Sequence, residues 1–278
     1  MKKILVPTDL SEHSQHALDV AIQISQKSEL EIILLNVIDL EKFYTTAEDG
    51  TYINASQDEG YKQHLSDQAN KRLSEILDQV ASDRILARVE TGDLIEQLSK
   101  CVTQESIDLV IIGAHGTSIY EEMLFGSNAN HIMRALKCPV LTIRDQVKDF
   151  KVDSMVFATS LRDNLDYALP QIRAIQQLFG SVIHLVYINT PVDFFNQRKI
   201  NEMRDNFLAK HPLNSYTFTI YNDYTIETGI AHFSDDVDAD IVALAAHQVD
   251  DMLDYILSTH TSDVIIDEAK RPVLAFSI

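Results

Sequence analysis

Long segments of this chain recur in its second half, in the same order and at similar spacing. KKILVPTDLSEHSQHALDVA (residues 2–21) faces VDSMVFATSLRDNLDYALPQ (152–171), and LEIILLNVID (30–39) faces SVIHLVYINT (181–190). SIDLVIIGAHG faces DADIVALAAHQ, with Asp108 opposite Asp240 and His115 opposite His247, and KCPVLTIR (137–144) faces KRPVLAFSI (270–278). Such a repeat fixes the architecture before any local reading, because each copy must be able to fold in the same way. The polar stretch RDQVKDFK (144–151) is the natural junction. It divides the chain into a domain at 1–146 and a second at 152–278.

Within the first copy, KILVP, EIILLNV, ILARV, DLVIIG and PVLTIR are short runs rich in Ile, Leu and Val. Runs of that kind suit strands covered on both faces. Between them, SEHSQHALDVAIQIS, EGYKQHLSDQANKRLSEILDQVA, DLIEQLSKCVTQ and GSNANHIMRAL repeat apolar residues at three- and four-residue steps, the period of a helix with one buried stripe. Ser11 stands where the first helix needs a cap. Strand–helix alternation implies a parallel sheet with right-handed crossovers, a doubly wound α/β domain. The stretch from Asp39 to Gln57 has no clear period and reads as a long mobile loop at the strand ends.

The formal net charge is −19, from 42 acidic and 23 basic side chains. The acidity extends over both halves and leaves no basic face, which argues against nucleic acid and anionic membranes as partners. No apolar stretch approaches the ~18 residues of a spanning helix. MKKILVPTDL carries only a short apolar run before Pro7, with no small-residue cleavage site behind it, so it does not read as a signal peptide. Cys101 and Cys138 have no metal-ligand spacing and fit a reducing cytosol, so a cytoplasmic protein is expected.

Three of the eight glycines fall in GAHGTSIYEEMLFGSNA, residues 113–129. In open α/β sheets, ligands lie beyond the carboxyl ends of the strands, where the strand order reverses. Pro7, Thr8 and Asp9 end the first strand there, Val37 the second and Gly113 the fourth, while Gly126 and Ser127 open the last helix. Gly113 lets the chain leave its strand without a side chain over the strand end, and Gly116 permits a positive φ or a close backbone approach. Gly126 exposes the free N–H groups of a helix start, which favour an anion. Together they describe a cradle of backbone donors for a polyphosphate, with Asp9 suited to a ribose hydroxyl or a base edge. Taken singly, these residues are equally well explained as turn and cap residues.

Gly113-x2-Gly116-x9-Gly126-Ser127, followed by Cys138-Pro139-Val140 and preceded by KILVPTDLSEHSQHAL, resembles the ATP-binding branch of the universal stress protein family. The resemblance covers the whole first half. It implies that Pro7, Thr8, Asp9 and Val37 meet adenosine, and that Ile112, Gly113, Gly116, Gly126, Ser127 and Asn128 line the ribose and phosphates. It further implies five parallel strands per domain in the order 3-2-1-4-5, association through the last strand, and a dimer-like unit of two copies within one chain. Homodimerisation of such chains is part of the same expectation.

In the second copy, Ala245 replaces Gly113, Gln248 replaces Gly116, Ser258 replaces Gly126 and Ser160 replaces Asp9. Side chains then stand where backbone would approach phosphate. Residues 152–278 are expected to keep the fold and lose the ATP site, which leaves open a different, smaller ligand there. His13 and His16 share a helix face without partners at zinc spacing and read as solvated. Glu121 and Glu122 also read as a solvated face. No nucleophile–base–orienter set is present, and no Walker lysine follows the glycines. A backbone cradle without cations binds ATP more readily than it cleaves it. The expectation is therefore a non-enzymatic ATP-binding stress-response protein, holding ATP, ADP or AMP with Mg2+ in the first domain. Its alternatives are a weak Mg2+-dependent ATPase and a dimerisation module with a vestigial pocket.

Overall fold

The computed structural model describes residues 1–40, 44–46, 52–54, 58–80, 82–113, 132, 135–246 and 271–277. In the first half the described elements are β1 (Lys3–Pro7), α1 (Glu12–Ser28), β2 (Glu31–Ile38), β3 (Tyr44–Thr46), β4 (Tyr52–Asn54), α2 (Glu59–Val80), β5 (Ile85–Thr91), α3 (Leu94–Glu105), β6 (Leu109–Gly113) and β7 (Val140–Ile143). The second half repeats the series with β8 (Ser154–Ala158), α4 (Ala168–Phe179), β9 (Val182–Asn189), α5 (Gln197–Lys210), β10 (Tyr216–Asn222), α6 (Ile226–Asp236), β11 (Ile241–Ala246) and β12 (Val273–Ser277).

Each half has the strand order expected of it. The whole order is β10-β9-β8-β11-β12-β7-β6-β1-β2-β5, which is 3-2-1-4-5 read inward from each outer edge to the centre. Pairing is parallel within each half. The halves meet through their last strands, where β7 and β12 pair antiparallel with Leu141 opposite Leu274. The two sheets are therefore one ten-stranded sheet, and the last-strand edge is used up inside the chain.

Alternation along the strands separates two apolar layers. Ile4 and Val6 of β1 face the layer of Ala17, Leu18 and Leu73, whereas Leu5 faces that of Leu98 and Ile112. The first layer continues without a break into Phe157, Ile172 and Phe276 of the second half. The junction is packed rather than loose. Gln23 donates to the Val147 carbonyl (2.8 Å) and accepts from the Phe150 N–H (2.7 Å). Phe150, 4% exposed, meets Phe179 edge-on at 5.9 Å.

Helix starts follow the capping chemistry. Ser11 accepts from Ser14 N–H (3.3 Å), Asp93 from Glu96 (2.9 Å), Asn196 from Lys199 (3.0 Å) and Thr225 from Thr228 (3.2 Å). The matched aspartates are structural: Asp108 accepts from the Lys2 and Lys3 N–H groups, and Asp240 from those of Asp153 and Ser154, so each ties the first strand of its half to the fourth.

Two expectations need correction. The 39–57 stretch is not simply a loop, because Tyr44–Thr46 and Tyr52–Asn54 pair as an antiparallel hairpin; short runs of Tyr, Thr and Ile favour extended backbone even without a long period. His13 and His16 are not on a solvated face: both are half-buried, with their rings edge-to-face at 5.8 Å.

The halves also differ at the first helix. By strand register Lys3 matches Ser154, so α1 would correspond to a start near Asp163, yet α4 begins at Ala168. Pro170 explains the delay. A proline is tolerated in the first turn of a helix but clashes with the carbonyl four residues back when placed deeper. Starting at Ala168 keeps Pro170 in the first turn.

Candidate functional site

The chain passes from β1 to β2 on one side and reaches β6 on the other only after β5 and α3. The β1/β6 boundary is thus where the strand order reverses, and a crevice is expected beyond the strand ends there. Pro7, Thr8 and Asp9 end or follow β1, Val37 lies near the end of β2, and Ile112 and Gly113 end β6. These six residues come to one edge of three adjacent strands. Gly116, Gly126, Ser127 and Asn128 lie outside the described residues, as do His115, His247, Glu121, Glu122, Gln248 and Ser258.

Each described residue has a local physical role. Thr8 is spent on structure: its N–H donates to the Leu35 carbonyl (2.9 Å), its carbonyl accepts from Asn36 Nδ2 (2.8 Å), and its hydroxyl meets Ser14 Oγ (2.9 Å) and accepts from Leu10 N–H (3.0 Å). Those bonds hold Leu10 in a left-handed turn at φ 68°. Asp9 is exposed, and its Oδ1 accepts from both the N–H (3.0 Å) and the hydroxyl (2.6 Å) of Ser11. This is the turn role, and it leaves Oδ2 without a hydrogen bond among the described residues. Val37 is half-buried against the layer containing Leu5 and Leu35. Ile112 is 4% exposed, so its side chain belongs to the core and only its backbone stands near the crevice.

Gly113 has a different reason from the one its sequence context suggests. A Cβ there would stand 2.3 Å from the His13 carbonyl oxygen and 2.8 Å from the Ser14 nitrogen. Its backbone needs no left-handed φ, since the positive-φ glycines among the described residues are Gly92 and Gly180. The missing side chain lets the first turn of α1 sit directly on the end of β6. Ala245, 7% exposed, stands at the matching position of the second half, where the helix after β8 begins only at Ala168.

The cysteines are not nucleophiles. Burial pushes the Cys138 thiol up to about 12 and also raises that of Cys101, so neither is a thiolate near neutral pH.

A model of the universal stress protein family matches residues 1–144. The chain belongs to this family. Universal stress protein MJ0531 of Methanocaldococcus jannaschii is 26% identical over 151 residues, which cover 53% of this chain and 85% of that protein. Universal stress protein MJ0577 of the same organism is 27% identical over 153 residues, covering 51% of this chain and 94% of its own. The crystal structure of a universal stress protein from Archaeoglobus fulgidus superimposes with a TM-score of 0.71 at 22% identity, covering 99% of this chain and 96% of that one. The fold of this universal stress protein therefore extends over both halves. No helix among the described residues is long and apolar enough to cross a membrane.

Among the residues that sequence reasoning missed, Asn36 positions the Thr8 carbonyl from β2 and is 7% exposed. The signal was an amide inside an otherwise apolar strand. Pro170 was a second missed signal, since it announced that the second copy could not build the same helix start.

Proposed function

We propose that the first half binds one adenine nucleotide, ATP with Mg2+, beyond the ends of β1, β2 and β6, and that occupancy rather than turnover is its contribution. The observation that carries this reading is the convergence of Pro7, Thr8, Asp9, Val37, Ile112 and Gly113 at the strand-order reversal, immediately upstream of the remaining glycines. The described part suits an adenosine. Asp9 Oδ2 is open to a ribose hydroxyl, and half-buried Val37 offers an apolar contact to a purine. Phosphate falls to the backbone donors of Gly116, Gly126, Ser127 and Asn128.

No group of three or more His, Cys, Asp or Glu side chains among the described residues is placed to hold a metal ion. Mg2+ would accordingly arrive on the phosphate oxygens and keep most of its waters. A cytoplasmic setting is supported by two unpaired thiols.

Native mass spectrometry of the purified protein tests this reading. One adenine nucleotide per chain is expected, retained or taken up on incubation with ATP and Mg2+. Two nucleotides per chain, or none, would contradict it. Single-turnover assays are expected to give slow hydrolysis at most.

A further inference from the structure

The second half keeps an open cleft at the ends of β8 and β9, the place that corresponds to the β1 and β2 side of the first-half site. Ala158, Thr159 and Ser160 follow β8 as Pro7, Thr8 and Asp9 follow β1, and Ile188 stands where Val37 does. The cleft holds about 60 Å³. That is room for the head group of a small ligand, roughly five water-sized groups, with any remainder at the open mouth, and far short of a nucleotide. Its chemistry has changed as well. Register puts Ser160 in place of Asp9 and Thr190 in place of Asp39, while Arg162 enters the lining.

Arg162 lies in the non-helical segment between β8 and α4. The guanidinium lies over the Phe195 ring at 5.1 Å from its centroid, which holds it at the mouth. It forms an ion pair with Asp193 Oδ2 at 3.8 Å, too long for a hydrogen bond. Asp193 is itself fixed, its N–H donating to Thr190 Oγ1 (3.3 Å). The other nearby carboxylate, Asp163, is turned inward and accepts from the Thr159 hydroxyl (3.0 Å), the Ser160 hydroxyl (3.1 Å) and the Ser160 N–H (3.2 Å). Tyr187 is 5% exposed and lines the cleft. Burial, reinforced by Asp193, keeps its phenol protonated. Ala158, Ile188 and Ile226 add apolar lining.

One positive and one negative group, adjacent but not hydrogen-bonded to each other, stand in a cleft with apolar lining. A polyphosphate would meet a single cation with two carboxylates close by. A ligand that carries both signs on neighbouring atoms satisfies each charge at once. We propose that this cleft binds a small zwitterion, an α-amino acid with a short apolar side chain. Its carboxylate pairs with Arg162, its ammonium lies between Asp193 and the hydroxyls of Thr190 and Tyr187, and its side chain rests on Ile188 and Ile226. The site is independent of the nucleotide site of the first half.

Valine is the probe, with 3-methylbutanoate (no ammonium) and isobutylamine (no carboxylate) as its truncations. Isothermal titration of the full chain is expected to give binding of valine and markedly weaker binding of both truncations. Arg162→Met and Asp193→Asn, each checked for folding by circular dichroism, are expected to weaken valine by at least about tenfold and to leave ATP binding unchanged. Should Arg162→Met fail to fold, Asp193→Asn carries the test alone. Failure of valine to bind, equal binding of either truncation, or unchanged valine affinity in the folded variants would overturn the proposal. Loss of ATP binding in wild type would count against the nucleotide site and not against this one.

Discussion

The absence of one methyl group at Gly113 decides how α1 meets the sheet. Because the atoms in its way are backbone, a Cβ there cannot be relieved by a rotamer change. Gly113→Ala should cost about 1–3 kcal/mol, the usual range for overpacking, read as a lower urea midpoint. The reverse change at the matched position, Ala245→Gly, should cost only about 0.5–1 kcal/mol. A second prediction concerns His211, which is 1% exposed and whose Nε2 accepts from Leu165 N–H at 3.4 Å. Burial holds its pKa below the ordinary histidine value, with Lys210 adding to the effect and Asp166 opposing it. The unfolded chain takes up a proton as pH falls through about 6.5, before the folded His211 does. Its contribution is therefore complete above that pH and is lost below it. His211→Gln should flatten the decline of the urea midpoint between about pH 7.5 and 5.5; an unchanged decline would remove His211 as its source. At this scale the sequence was only partly legible. Asp9 and Gly113 were recognisable as special positions, but that Gly113 makes room for a helix rather than for a ligand depends on contacts with residues distant in the chain.

At the scale of elements, the repeated aspartates matter more than their position suggests. Asp108 and Asp240 each gather two strand N–H groups, and this explains a match that has no counterpart in the binding chemistry. Asp108→Ala should lower stability by about 1.5 kcal/mol, at the low end for bonds to a charged acceptor because these are partly solvated, without altering ATP affinity. A loss of ATP binding from this variant would mean that β6 had shifted. Strands and helices were readable from periodicity because apolar residues must face one of two layers, and that constraint is local. The β3–β4 hairpin was not readable, since three-residue strands leave no period to detect. Nor was the delayed start of α4 anticipated, although Pro170 carried the information.

For the whole molecule, the order 3-2-1-4-5 and the association of the two copies through their last strands followed from resemblance, while the antiparallel register of that join and the single ten-stranded sheet came from the structure. The seam is short: three residue pairs between β7 and β12, plus Thr142 Oγ1 bonded to both the N–H and the carbonyl of Val273 (3.2 Å each). Tyr167 adds a bond across it from α4 to the Lys137 carbonyl (2.7 Å). A fragment of residues 1–146 would expose the β7 edge, and an uncovered strand edge recruits another. We expect that fragment to dimerise in sedimentation experiments; a stable monomer would show that the edge is not adhesive. The division of labour between the halves is tested most directly by thermal shift with ATP and Mg2+. A ligand at about 100 times its dissociation constant stabilises the folded state by about 2.7 kcal/mol. The expected result is a raised melting temperature in wild type and in Ser258→Asp, and no rise in Gly126→Asp. A rise that survives Gly126→Asp but disappears in Ser258→Asp would contradict the assignment of the nucleotide to the first half.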